Sequence, residues 1–184
     1  KTCILRPSDI YGEADPYHID SLIDMAKKGF YVRLGNGKSK CQHVYVGNMA
    51  HTHILAASAL LQNNEKVMGK AYFITDGPGS NFFSFFDRIV LGAGYKIFPK
   101  NLWIPKWLAY AMGSVSEFAA WTISPLKKYN PKFSRFAVVY TCHDFTFTSN
   151  RAKIDFGWKP KYSTPEAVEN TIRYYRKSTH SVIP

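Results

Sequence analysis

Hydrophobic positions recur along this chain with two periods, one helical and one extended. Ile19, Leu22, Ile23 and Ala26 share one face of a helix predicted over His18 to Lys28, and Gly29 ends it. Asn48 is read as the cap of a second helix carrying Met49, Thr52, His53, Ala56 and Leu60 along a stripe. Behind Asn81, another cap, Phe82, Phe85, Phe86 and Ile89 recur at helical spacing, a stripe that belongs to a core rather than to a cofactor box. Pro105 and Pro125 bracket a mostly apolar helical stretch that begins Lys106-Trp107-Leu108 and is interrupted by Gly113, Ser114, Ser116 and Glu117. Ser149 opens a short helix that stops at Gly157. Ser163-Thr164-Pro165-Glu166 is a capping box ahead of a final helix to about Lys177.

Between these lie strand-like runs at Thr2–Leu5, Phe30–Leu34, His43–Val46, Ala71–Thr75 and Phe145–Thr148. Arg6 to Gly12 reads as a loop, and Gly35-Asn36-Gly37 and Asp76-Gly77-Pro78-Gly79 as turns. Strands alternating with helices make the class α/β. Thr2–Leu5 reads as a buried parallel strand, which needs neighbours on both edges. The expectation is therefore that the chain is part of a longer domain, and that alone it exposes a sheet edge and aggregates.

Charge changes the picture because it is uneven. Residues 1–94 hold ten basic and eight acidic side chains, whereas residues 95–184 hold fourteen and five. A basic half suits nucleic acid, an anionic membrane or a covered protein face. No helix-turn-helix, RNP motif or zinc finger is present, so nucleic acid is set aside. Aromatic residues interleaved with the charges fit a membrane surface or an apolar ligand better. Cys3, Cys41 and Cys142 are odd in number and lack metal-ligand spacing, which points to a reducing, intracellular compartment.

No complete catalytic constellation appears. His51 and His53 diverge by about 160° on a helix and do not converge on a metal, so no metal site is expected. There is no H-E-x-x-H, C-x-x-C or G-x-S-x-G. The glycines at Gly35, Gly77 and Gly92 lack the strand–G-x-G-x-x-G–helix context of a dinucleotide site.

A set of short motifs, in order, nevertheless identifies a family. Leu5-Arg6-Pro7, Ile10-Tyr11-Gly12, Asp15-Pro16, Gly35-Asn36-Gly37, Val44 to Ala50 and His53-Ile54-Leu55-Ala56 resemble the second half of extended short-chain dehydrogenases. Ile104-Pro105, Ser124-Pro125, Phe145 to Thr148, Ala152-Lys153, Phe156 to Pro160, Tyr162-Ser163 and Glu166-Ala167 sharpen the resemblance to the 3β-hydroxysteroid dehydrogenase/isomerase family. The related sterol-4α-carboxylate 3-dehydrogenases share most of these signatures. The resemblance implies the C-terminal portion of such a fold: an incomplete Rossmann sheet plus a smaller substrate-binding region, without the dinucleotide-binding half.

It implies an oxidoreductase using NAD(P) on the 3β-hydroxyl of a steroid or sterol, in some members with isomerase activity. The Tyr-x-x-x-Lys pair that does the proton work in such enzymes is missing, since none of the twelve tyrosines has Lys four residues on. Hence no catalytic residue is assigned, and the chain alone is expected to be inactive. By position in the family, Pro7, Ser8 and Ile10 would line the nicotinamide, and Tyr11, His43 and Asn48 would lie toward substrate. A lipid-binding module that keeps the fold without the chemistry is the alternative. A nucleotide-sugar enzyme is disfavoured, because a phosphate-rich substrate calls for paired arginines and only Arg33 lies near.

The stretch between Pro105 and Pro125 bears on location. Nineteen helical residues span about 28 Å, close to a bilayer's hydrocarbon thickness. Glu117 near its middle costs ~3 kcal/mol on insertion, which favours lying at the interface. There Trp107, Leu108, Phe118 and Trp121 would dip into lipid, while Lys100, Lys106, Lys127, Lys128, Lys132 and Arg135 meet anionic headgroups. The competing expectation is a helix packed on its own domain over a sterol pocket. Peripheral association with the endoplasmic reticulum membrane follows as the expectation, with the cytoplasm as the alternative.

Overall fold

The computed structural model describes residues 1–123 and 133–180. Ser124, Pro125, Lys127, Lys128 and Lys132, named above, lie outside the described residues. Strand β1 (Ile4–Pro7) and strand β2 (Asp9–Tyr11) are followed by helix α1 (Ile19–Lys27) and strand β3 (Arg33–Leu34). Strand β4 (His43–Tyr45) runs directly into helix α2 (Val46–Leu61), and then come β5 (Ala71–Ile74), α3 (Phe82–Gly92) and β6 (Trp103–Ile104). Four helices follow among the described residues: α4 (Lys106–Ile123), α5 (Arg135–Cys142), α6 (Asn150–Phe156) and α7 (Thr164–His180).

Among the described residues the three strand pairs are parallel: β1 with β5, β2 with β4, and β3 with β6. The segment Arg6–Gly12, expected as a loop, is instead nearly continuous strand. It bends at Ser8 and changes partner there. The Ser8 amide donates to the Ile74 carbonyl at 2.8 Å, and the Asp9 amide to the Gln42 carbonyl at 3.2 Å. Its backbone groups are therefore satisfied by two different strands in succession.

Two cores hold these layers. In one, Phe82, Phe83, Phe85, Phe86 and Ile89 of α3 pack with Ile19, Leu22 and Ile23 of α1 and Ile172 of α7. In the other, Val44, Met49, Tyr72, Ile74, Ala152 and Trp158 join α2, β5 and α6. The Trp158 indole N–H donates to Thr52 Oγ1 at 2.6 Å inside it. The aromatic stripe of α3 is core, as its spacing predicts, and Asn81 caps it by accepting from the Ser84 amide at 3.2 Å.

Other expectations change. Asn48 does not cap α2: the helix begins at Val46, and Asn48 is wholly buried inside its first turn. The buried stripe of α2 is Asn48, Met49, Thr52, Ala56 and Ala59, while His53 faces outward. The strand predicted over Phe30–Leu34 shrinks to Arg33–Leu34, because Phe30 is exposed and Gly29 has only just turned the chain with φ +67°. Phe145–Thr148 makes one bridge, from Phe145 to Cys41, and forms no strand. Ser149 precedes α6 but its hydroxyl accepts from the Thr75 amide, tying the helix to β5.

Helix α4 lies against α5 through Ala109, Gly113 and Ala120. Gly113 permits that approach: a Cβ there would sit 2.9 Å from the Arg135 amide nitrogen. The other face of α4 is uncovered. Trp107, Val115, Phe118 and Trp121 are about two-thirds exposed or more. Glu117 pairs with Arg135 at 2.6 Å, so this arginine is engaged within the fold rather than held free for a headgroup. No helix among the described residues is long and apolar enough to cross a membrane.

Candidate functional site

The side chains with chemical potential gather where β2 and β4 run side by side. Asp9 and His43 are register partners, which brings the His43 Nδ1 to 3.0 Å from Asp9 Oδ2. The other carboxylate oxygen meets His18 Nε2 at 2.7 Å, reached from the residue before α1. The Tyr140 hydroxyl of α5 donates to the same carboxylate. One buried aspartate thus takes three donors. Burial would raise its pKa, but the hydrogen bonds and charges of His18 and His43 outweigh that and hold it at about 2. For His18 burial acts downward, and the bond and charge of Asp9, with Asp15, reverse it to a net rise. Burial, followed by the Asp9 charge and hydrogen bond, pushes the Tyr140 phenol well above its ordinary value.

Aromatic rings frame the cluster. The His43 imidazole stacks on Phe85 with centroids 4.0 Å apart, and its Nε2 lies 3.5 Å from Cys41 Sγ. His18 stacks on Tyr140 at 5.9 Å and meets Phe82 at 5.3 Å edge-on. Burial raises the Cys41 thiol to about 12, so it behaves as an inert packing group, not a nucleophile.

His18 and Tyr140 also border a cleft of about 370 Å³. Its walls come from α1 (Leu22, Met25), α3 (Phe82, Phe83) and α5 (Phe136, Ala137), with Leu34 of β3 and Phe133 contributing. Asp24 and Lys28 stand at the α1 side. The volume lies within the ~300–1,000 Å³ of small-molecule sites, and a mostly apolar wall with few polar groups is their usual chemistry.

The residues singled out from sequence divide into three groups. Pro7, Ser8 and Ile10 sit at the partner change between β1 and β2; Pro7 and Ile10 are exposed, and the Ser8 hydroxyl is buried without a hydrogen-bond partner. Tyr11 and His43 come together, their ring centroids 6.3 Å apart, but both are buried and neither lines the cleft. Asn48 stands apart from them. Its amide donates to Asp76 Oδ2 and the Tyr162 carbonyl, both at 2.9 Å, and accepts from the Tyr162 amide at 2.8 Å. Both donor hydrogens are taken, so Asn48 ties α2 to the segment before α7. Arg33, considered above for a phosphate, is buried against Asp87 with two bonds of 2.9 and 2.8 Å. Among the described residues no group of three or more His, Cys, Asp or Glu could hold a metal.

Asp9, His18 and Tyr140 escaped notice in sequence. The sole local signal is Asp9 itself, an acidic residue directly before the family motif Ile10-Tyr11-Gly12 in a segment whose sequence reads as a loop; an aspartate needs a partner when buried.

Parallel strand pairs with flanking helices and an apolar cleft beside a strand end define a portion of an extended short-chain dehydrogenase. The model of the 3-beta hydroxysteroid dehydrogenase/isomerase family matches residues 1–102, and the chain belongs to that family. It is similar to the mouse (Mus musculus) sterol-4-alpha-carboxylate 3-dehydrogenase, decarboxylating: 36% identity over 177 residues, 95% of this chain and 48% of the relative. A short-chain dehydrogenase/reductase family 42E member 1 from Xenopus laevis is 34% identical over 169 residues, 91% of this chain and 43% of the relative. Among solved structures, the human epimerase family protein SDR39U1 with NADPH matches at TM-score 0.62 and 12% identity, covering 93% of this chain and 48% of that one. That likeness is one of fold. The chain spans about half the length of the curated relatives it matches.

Proposed function

We propose that this chain supplies the substrate side of an NAD(P)-dependent oxidoreductase acting on the 3β-hydroxyl of a steroid or sterol. The observation that carries this is the cleft: mostly apolar walls, the size of a small rigid ligand, and a few polar side chains on its border, His18 and Tyr140 among them. The mouse relative's name, a sterol dehydrogenase, supports the substrate class. A sterol bearing a 4α-carboxylate is the alternative substrate. The family description includes an isomerase, and no residue lining the cleft is assigned to that step.

The nicotinamide group supplies hydride transfer when bound. Residues here fit one side of it. The strand changes partner at Ser8, between the β1–β5 and β2–β4 pairs. The orphaned Ser8 hydroxyl is a donor in want of an acceptor, and the exposed Pro7 and Ile10 offer flat apolar contact on either side. The human neighbour's NADPH supports the cofactor class without choosing between the two nicotinamides.

The uncovered face of α4 supports peripheral attachment to an intracellular lipid surface, from which a sterol would be drawn. Trp107, Phe118 and Trp121 are its anchors, and Lys100 and Lys106 precede them in sequence.

Activity tests the main reading. The 184-residue chain, lacking Tyr-x-x-x-Lys, gives no NADH with a 3β-hydroxysteroid or a sterol 4α-carboxylate. The full-length polypeptide that carries it does, and Ala137→Trp, which fills the cleft, cuts kcat/KM at least tenfold. An Ala137→Trp enzyme with unchanged kcat/KM on both substrates sinks the assignment.

A further inference from the structure

We propose that His18, held by Asp9, is the recognition donor of the cleft and takes a carbonyl oxygen carried by a flat apolar ligand. This rests on the reading of the cleft as the ligand site. The imidazole has two nitrogens and the fold uses one: Nε2 is bound to Asp9 at 2.7 Å, and Nδ1 has no partner among the described residues. The side chain is 24% exposed, and the surface it borders is the cleft. A polar nitrogen left in an apolar wall is unfavourable once a ligand displaces water, unless the ligand supplies its partner.

The ring is positioned for this. Tyr140 stacks nearly parallel to it, the ring planes 11° apart, and Phe82 and Phe86 close on it at 5.3 and 5.5 Å. The Asp9 carboxylate accepts from Nε2–H, and in the cationic ring Nδ1 carries the second proton. Nδ1 is then a donor. A site of this kind discriminates strongly between a ligand that has the matching acceptor and one that lacks it.

The balance of charge favours a neutral oxygen over a carboxylate. Asp9 neutralises the imidazolium directly, and Asp15 lies close enough to act on it electrostatically. Asp24 on the cleft wall offsets Lys28. The described lining presents no cluster of cations to an anion. A ketone on a rigid ring system, with its apolar body against Leu22, Phe83 and Ala137, satisfies both the donor and the walls.

Equilibrium dialysis of the full-length polypeptide with androstanone, a steroid ketone, and androstane, the same skeleton without oxygen, tests this. Wild type binds the ketone about tenfold tighter. His18→Phe keeps an aromatic ring in the frame; it removes that preference and leaves androstane affinity unchanged. Equal loss of both ligands in His18→Phe, or an intact ketone preference, overturns the assignment. The cleft fails separately if Ala137→Trp leaves both affinities unaltered. Nitrogen NMR of the labelled wild type stands independent of any variant's folding. The His18 Nδ1 resonance moves on adding androstanone and not on adding androstane, and a resonance indifferent to both overturns the proposal.

Discussion

His18 Nε2 and Asp9 Oδ1 lie 2.7 Å apart, although the two residues sit on different elements and face each other across a turn of the chain. The pair links folding to pH with opposite signs. His18 has its pKa raised on folding, so its contribution is complete below its unfolded value near ~6.5 and is lost as pH rises through the folded value. Urea titrations of wild type therefore give a stability that declines as pH climbs above ~6.5 through that folded value. His18→Phe lacks this component of the decline, and an identical slope in both proteins contradicts the coupling.

Asp9 works in the acid range. Its pKa is depressed to about 2, so its contribution is present above the unfolded value and disappears as pH falls toward that figure. Asp9→Asn leaves two imidazoles and a phenol around a weaker acceptor, and is expected to destabilise by about 3 kcal/mol at neutral pH. The same substitution flattens the acid limb of the stability profile. Comparison of denaturant midpoints at neutral and acid pH measures both effects.

Why these residues were illegible in sequence is instructive. Asp9, His18, His43 and Tyr140 have no spacing in common, because a parallel register and a helix start bring them together. The helices were legible, since Ile19, Leu22, Ile23 and Ala26 or Phe82, Phe85, Phe86 and Ile89 carry their period locally. Asn48 misled because it stands beside a helix start, where an Asn caps by default; its partner Tyr162 lies 114 residues away. The strands misled where they are shortest. Arg33–Leu34 pairs with Trp103–Ile104 for two residues only, too few to impose an alternation. The family motifs around Ile10-Tyr11-Gly12 were contiguous and readable, whereas the cleft draws its walls from several elements and has no linear signature.

Arg33 is expected to matter for folding rather than for ligand binding. It donates twice to Asp87 and once to the Lys100 carbonyl at 2.7 Å, and Tyr31 donates to the same carboxylate at 2.8 Å. Arg33→Met strands a largely buried carboxylate and is expected to destabilise by ~3–5 kcal/mol. Adding Asp87→Leu recovers a good part of that loss, because the unpaired charge is gone. A double-mutant cycle by chemical denaturation reads the coupling; additive losses contradict it.

Gly113→Ala couples packing to the cleft. The new methyl group would meet backbone, the Arg135 amide at 2.9 Å and the Ser134 carbonyl carbon at 3.0 Å, so neither neighbour can rotate away. Helix α5 has to shift, and it carries Phe136, Ala137 and Tyr140 of the cleft wall. Expected are a loss of ~1–3 kcal/mol in stability and weaker androstane binding. Dialysis of the purified variant beside its thermal melt checks the two together; a stable variant with unaltered affinity shows that α4 does not position the wall.

The exposed face of α4 makes the remaining prediction, about lipid. Trp107 and Trp121 are 73% and 71% exposed, and Phe118, close to Trp121 with centroids 5.8 Å apart, is 65% exposed. Exposed aromatic side chains grouped on one helix face offer apolar surface to a partner or to lipid. Glu117 does not have to enter the lipid, since Arg135 neutralises it beside the helix. The basic half of the sequence adds attraction to anionic headgroups, and that attraction weakens with salt over a Debye length of about 10 Å at 0.1 M. Full-length protein is therefore expected to float with anionic liposomes and less with neutral ones. The double variant Trp107→Ser, Trp121→Ser loses most of that binding, and a high-salt wash removes part of what wild type retains. Both substitutions lie on the solvent side of α4, away from the cleft-lining residues, so affinity for soluble androstane stays the same in the double variant. Flotation that survives both the substitutions and the salt shows that the helix is not the membrane contact.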